Sequence, residues 1–134
     1  MAHARAIDLR DGDAAEVAAY GMTPCQAIGL SLDRSLWAEA YLVDGRPAAI
    51  MGLASSALLA GHGVPWLLTS PACERHKRFF MCESRRQVDR MRATILPLVN
   101  YVHADYTRAI RWLAWLGFTI EPPSGIWRRI IMEV

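Results

Sequence analysis

Residues 98–118 constrain this chain more than any other stretch. An apolar run from Leu98 to Val102 gives way to a polar break at Asp105, and then to a tryptophan-rich segment stopped by Gly117-Phe118. The apolar run reads as a strand. Ile110, Leu113 and Ala114 recur at the i, i+3, i+4 spacing of one helix face, so residues 106–116 read as a helix. Asp105 is available as its N-cap, and Gly117 supplies the residue that accepts the left-handed conformation ending a helix. Phe118 then opens a further strand.

A chain of 134 residues suits one domain, large enough to bury a core without metal or disulfide support. Hydrophobic residues make up 53% of it, yet charged residues interrupt every long apolar run. No segment approaches the roughly 20 apolar residues a membrane helix needs, so no membrane insertion is expected. The first residues lack the apolar core of a secretory signal, and three cysteines cannot all pair within the chain. Both features predict a reducing, cytoplasmic setting.

Net charge is only +2, but 14 of the 15 basic residues are arginine. Residues 75–92 hold seven of them against Glu83 and Asp89. Such a cluster serves either as a solvated helix face or as a contact for the phosphates of a cofactor or nucleic acid.

Along the chain, residues 4–9 read as a strand and residues 14–20, before Gly21, as a short helix. Thr23 as N-cap, Pro24 at the first helical position and Gln26 at the third form a capping box that opens a second helix, ending near Asp33 to Ser35. Residues 36–43 and 47–55 flank Asp44-Gly45, a dipeptide suited to a tight hairpin. Trp37, Glu39 and Tyr41 share one face of the first hairpin strand. Residues 64–70 read as a buried strand, followed by a long helix ending before Pro97, with Phe80, Ser84, Val88, Met91 and Ile95 inward. Strands over 97–102, 118–122 and 126–134 complete the order β, α, α, β, β, β, α, β, α, β, β. The expected architecture is α/β (α+β): one domain over residues 1–134, with a mixed, mostly antiparallel splayed sheet of about seven strands and about four helices on both sides.

This order resembles the Gcn5-related N-acetyltransferase (GNAT) superfamily, whose last conserved motif is a strand, a polar residue, an Ala-containing helix and a Gly-Phe ending. The resemblance implies that the strand at Trp66 to Ser70 splays from its neighbour. The backbone of Leu67, Leu68 and Thr69 would then hold the pantetheine arm of acetyl-CoA, and the turn at Ala72 to Phe79 would wrap the pyrophosphate. The family turn begins with Gln or Arg and has two small residues, which let backbone N–H groups approach the phosphates. Here those three positions hold Glu74, Lys77 and Phe79. A carboxylate repels phosphate and a phenyl ring takes its space, so binding would rest on salt bridges from Arg75, Lys77 and Arg78.

Two further positions depart from the family. Where many members carry Asn before the helix and Tyr within it, this chain has Tyr106 and Leu113. The family Tyr commonly protonates the departing thiolate, so Leu113 removes the usual acid, and Tyr106 is the substitute within reach in sequence. Its alternative role is packing on the helix start. Glu39, between Trp37 and Tyr41, is the candidate general base; its alternative is an ion pair with an arginine.

No other catalytic pattern stands out. The four histidines lack the spacing of a metal site, so no metal is expected, and Cys73 with His76 does not make a convincing dyad. Trp112 and Trp115 leave the last helix apolar nearly all round, which calls for a partner surface or a homo-oligomer contact.

Residues 66–91 and 100–123 are similar to a narrower group: small tailed-phage proteins akin to the internal virion protein of short-tailed coliphages. The residues that carry this are Thr69-Ser70-Pro71, Glu74-Arg75-His76, Arg78-Phe79, Glu83 to Arg86, and Arg108 to Phe118 with its two tryptophans. It implies a phage gene expressed in host cytoplasm, with the product packaged in the virion or serving its assembly, and other virion proteins as partners. Two function classes stand open: a GNAT-fold assembly component with an altered acetyl-CoA site, and an active acetyl-CoA-dependent N-acetyltransferase. Nucleic-acid contact through the basic helix is a third, weaker reading.

Overall fold

The computed structural model describes residues 15, 18, 19, 21–55 and 61–134. The expected strand at residues 4–9 lies outside them. So does most of the expected helix at 14–20, of which Ala15, Ala18 and Ala19 are helical. The elements run α1 (Pro24–Arg34), β1 (Ser35–Val43), β2 (Arg46–Ser55), β3 (Gly63–Thr69), α2 (Ala72–Arg75), α3 (Lys77–Thr94), β4 (Leu98–His103), α4 (Thr107–Leu116), β5 (Thr119–Ile120) and β6 (Trp127–Met132).

Local chemistry accounts for the boundaries. The Thr23 side chain accepts from the Gln26 amide while the Gln26 side chain accepts from the Thr23 amide, the reciprocal pair that starts α1. Asp44 and Gly45 both take positive φ, 52° and 76°, so the β1–β2 hairpin closes in two residues. Gly117 ends α4 at φ 106°. At the other end of α4 the capping position is Tyr106 rather than Asp105, whose amide donates instead to His103 Nδ1 at 3.1 Å. The long helix expected after β3 is interrupted: α2 makes one turn, His76 departs from helical geometry (φ −124°, ψ 42°), and α3 starts afresh.

Six strands among the described residues form one sheet in the order β1-β2-β3-β4-β6-β5, antiparallel except for the β3–β4 neighbours. Successive side chains of a strand face opposite ways, which sorts the two layers. Ile50 and Leu68 pack with Ile28 and Leu32 of α1 on one face. Met51 and Leu67 pack with Cys73 and Phe80 on the other. On that second face Val88 and Met91 of α3 meet Ala109, Ile110 and Leu113 of α4 over Leu98, Val102 and Ile130. Helices therefore cover both sides, with α1 opposite the α3–α4 pair. The inward side of α3 follows the expected spacing and adds Gln87, which is 1% exposed.

Gly52, at the centre of β2, pairs with Trp66 of β3, and a Cβ there would lie 2.5–2.7 Å from the Trp66 ring. That ring is held by its Nε1–H, which donates to Ser35 Oγ at 2.7 Å. Gly52→Ala is expected to destabilise the protein by roughly 1–3 kcal/mol through overpacking. Gly29, inside α1 with open space around it, is the contrasting site, where Ala is expected to stabilise by up to about 1 kcal/mol. Urea denaturation of the two variants checks the pair; equal effects would show that the Trp66 ring yields.

Candidate functional site

The sheet opens between β3 and β4. Their ladder consists of one parallel pair, Gly63 with Leu98, reinforced by the Gly63 amide donating to the Pro97 carbonyl at 2.9 Å. A side chain at position 63 would meet Ile95 at 2.7 Å and Leu53 and Leu98 at 3.0 Å, so glycine sets the vertex of the opening. Beyond it the strands diverge, and Asn100 reaches across to donate from Nδ2 to the Pro65 carbonyl at 2.6 Å. Two cavities of about 110 and 220 Å³ lie beneath α3 and α4 in this opening. Met51, Leu67, Ala109 and Trp112 belong to the walls of both, which makes them one apolar slot.

Thr69, Cys73, Glu74, Lys77 and Arg108 line the larger cavity. Glu74, from α2, forms an ion pair with Arg108, from the first turn of α4, across the slot. Of the three basic residues expected at a phosphate, Lys77 lines the slot; Arg75 and Arg78 are exposed and lie outside its walls. Phe79 does not fill the slot. It stands edge-on to Tyr41 and Phe80, with centroids 6.3 and 5.2 Å away, because the restart of the helix at His76 turns position 79 toward the hairpin. Leu67 faces the slot, while the Leu68 side chain packs on the α1 side with Ile28 and Ile50. Leu113 and Tyr106 both line the smaller cavity and pack against the main core. Cys73 is buried and donates its thiol hydrogen to the Ala48 carbonyl, with Sγ at 3.2 Å, whereas His76 is exposed; the two do not form a dyad.

Glu39 lies elsewhere, under α3 on the edge strand β1 and outside both cavities. Its Oε1 accepts from Arg90 at 2.9 Å; its Oε2 accepts from Gln87 at 2.8 Å, Tyr41 at 3.0 Å and Arg86 at 3.4 Å. Gln87 Oε1 in turn accepts from Trp37 Nε1 at 3.2 Å, and the Arg90 guanidinium lies 4.0 Å over the Trp37 ring. Both Glu39 oxygens are thus occupied by donors, two of them cationic. The ion-pair alternative for Glu39 is the arrangement found. Burial, opposed by the Gln87 hydrogen bond and assisted by Glu39, pushes the Tyr41 hydroxyl up to about 12.

Gln87 and Asn100 are not singled out by the sequence, and Arg108 and Trp112 stand out there only for a family pattern and a partner surface, not as walls of the slot. Gln87 had a signal: a polar residue three after Ser84 and four before Met91, on the apolar face of α3. The Glu74–Arg108 pair had none, because 34 residues separate the partners. The slot has room for a narrow, extended arm such as pantetheine, whose amides would need the backbone of the diverging strands as partners. The phosphate end does not fit, since Glu74 occupies the turn and holds Arg108. Among the described residues no cluster of three His, Cys, Asp or Glu side chains suits a metal ion, and no helix is long and apolar enough to cross a membrane.

No family model matches the sequence, and neither does any curated protein. Solved structures do match the fold. An acetyltransferase from Thermus thermophilus superposes with TM-score 0.61 at 14% identity, covering 90% of this chain and 82% of its own. The PaiA N-acetyltransferase of Thermoplasma acidophilum, solved with coenzyme A, gives 0.57 at 16%, covering 82% and 69%. A GNAT-family acetyltransferase from Streptococcus pneumoniae gives 0.56 at 11%, covering 81% and 72%. The chain has the GNAT acetyltransferase fold, and at these identities the likeness is one of fold.

The Tyr41 environment sets a pH dependence. The unfolded chain ionises this hydroxyl near 10 and the folded chain near 12, so the stability tied to its retained proton is complete below pH 10 and lost as pH rises toward about 12. Urea titrations across this range are expected to show a smaller alkaline loss in Tyr41→Phe than in the parent. Equal losses would mean that Tyr41 titrates like the other tyrosines.

Proposed function

We propose that this chain is a phage-encoded protein of the GNAT fold that acts as a virion assembly or internal virion component, not as an acetyl-transfer enzyme. The observation that carries the reading is the Glu74–Arg108 ion pair across the slot, at the turn where a GNAT enzyme would meet pyrophosphate. A ligand phosphate there faces a carboxylate and finds the neighbouring guanidinium already engaged. Two other features agree: Leu113 stands in the core at the place of the usual acid, and Glu39 is tied up by Arg86 and Arg90 away from the slot. The phage assignment rests on the pattern of residues 66–91 and 100–123. It implies synthesis in host cytoplasm, packaging into or beside the virion, and contact with other virion proteins or a second copy through the α4 tryptophans. Trp115, 44% exposed, is the accessible one of the two.

A second reading, an acetyl-CoA-dependent N-acetyltransferase, draws on the persistence of the slot and on coenzyme A in the Thermoplasma structure. In that reading Arg75, Lys77 and Arg78 hold the pyrophosphate, the Leu67 to Thr69 backbone holds pantetheine, and Glu39, Tyr106 or water moves the protons.

Isothermal titration with acetyl-CoA separates the two. The expected result is no saturation below millimolar cofactor for the parent protein. In Glu74→Gln, which frees Arg108 and removes the repelling charge, affinity is expected to rise on the order of tenfold, about 1.4 kcal/mol. Micromolar saturation by the parent, abolished in the Arg75→Ala/Arg78→Ala variant, would replace the first reading with the second.

A further inference from the structure

The cations of α3 divide between its two flanks. On the flank toward β1, Arg86 and Arg90 are bound to Glu39, and Arg86 also to Glu83. On the flank toward α4, the Arg85 guanidinium lies 4.1 Å over the Trp115 ring and donates to the Trp115 carbonyl at 3.3 Å. Arg78 stands two helical turns before Arg85 on the same side, roughly 10 Å away along the axis. Across the groove, Arg111 is exposed one turn before Trp115 on α4. Lys77 at the start of α3 and Arg75 at the end of α2 are also exposed.

Arg75, Lys77, Arg78, Arg85 and Arg111 have no carboxylate partner among the described residues. Glu74, the acid on this side, is held by Arg108, and Asp89 lies 4.0 Å from Arg92. The net charge of the whole chain is +2, so these five unneutralised cations are a local excess rather than a share of a uniformly basic surface. Four of the five are arginines, whose planar forks match phosphate oxygens in pairs. Arg75 stands on α2, Lys77, Arg78 and Arg85 on α3 and Arg111 on α4, with the exposed Trp115 between Arg85 and Arg111.

We propose that the α3–α4 surface binds the phosphate backbone of nucleic acid without reading sequence. Positive charge spread over three neighbouring helices suits a polymer of many phosphates better than a single anion, and the affinity of such a surface is electrostatic. Arg75, Lys77 and Arg78 are the residues that the enzyme reading assigns to pyrophosphate, so this proposal rests on the assembly reading; Arg85 and Arg111 lie outside the walls of the slot.

Fluorescence anisotropy of a labelled duplex of about 20 base pairs, followed from about 50 to 200 mM salt, tests it. Five neutralised phosphates predict a slope of log affinity against log salt of roughly −4.5, a loss of about 2.7 orders of magnitude over that range. Arg78→Glu/Arg111→Glu is expected to weaken binding at least about tenfold and to flatten the slope by about two. The milder Arg78→Gln/Arg111→Gln, checked for folding by circular dichroism, is expected to act in the same direction. Arg34→Glu, at the end of α1 on the opposite face of the sheet, is expected to leave binding unchanged. No binding at the lowest salt would overturn the proposal, as would an equal loss with Arg34→Glu, which would make net charge the cause. Tighter binding of polyglutamate than of DNA would overturn it in favour of an acidic protein partner.

Discussion

Between β3 and β4 the sheet is held by one residue pair, Gly63 with Leu98, and the position of every cavity wall follows from that. Elsewhere β4 is secured on its other edge by six pairs with β6, and β3 by seven pairs with β2, so each strand is stable without its neighbour across the opening. Interior strands with facing unpaired backbone ordinarily close up. Here closure is opposed from both sides. Pro65 removes an amide from β3, Asn100 satisfies the Pro65 carbonyl with its side chain, and Leu67, Trp112 and Leu113 fill the widening space. The slot is a built feature of the sheet rather than a packing fault.

Two carboxylates near this architecture have opposite surroundings. Glu39 meets Tyr41 and Gln87 and is capped by two arginines, and so ties β1, the edge strand among the described residues, to α3. Removing one partner of such a group leaves the others unsatisfied, which makes the network a poor place for a group that must gain and lose protons. Glu74 is half-exposed and has one partner, Arg108, on a different element. A pair of that kind contributes little to stability, about 0–1 kcal/mol, so its consequence is for what can enter the slot rather than for the fold.

Local signals in the sequence marked most of the framework. The capping box at Thr23 to Gln26, the Asp44-Gly45 hairpin and the Gly117 stop each act through neighbouring backbone groups, and each stands where it was expected. What escaped was decided at a distance. The break at His76 cannot be read from residues 72–94, whose composition suits one continuous helix; it swings Phe79 onto Tyr41, emptying the place where its ring was expected to block phosphate. Ala114, expected inward, is exposed, and Ala109 takes the inward place with Ile110, Leu113 and Leu116, because α4 meets α3 as well as the sheet. The identity of the Arg86, Arg90 and Arg108 partners likewise depends on tertiary placement that no spacing rule supplies.

The distribution of charge separates scaffold from chemistry in this chain. A GNAT-fold sheet needs the vertex at Gly63, the diverging strands and helices to cover them, and these are met by apolar packing and glycine alone. Acetyl transfer further needs a phosphate-receptive turn and a proton donor at the thiolate, functions that fall to single residues and can be lost without disturbing the sheet. Leu113 shows how such a position serves the scaffold: it packs against the core that Val88, Met91 and Phe118 build. With Glu74 across the slot, and arginines outside it that have no carboxylate partner among the described residues, positive charge faces outward along α3 and α4. Recognition of a large anionic partner on the helix surface, in place of a small one in the slot, is the arrangement this charge pattern favours.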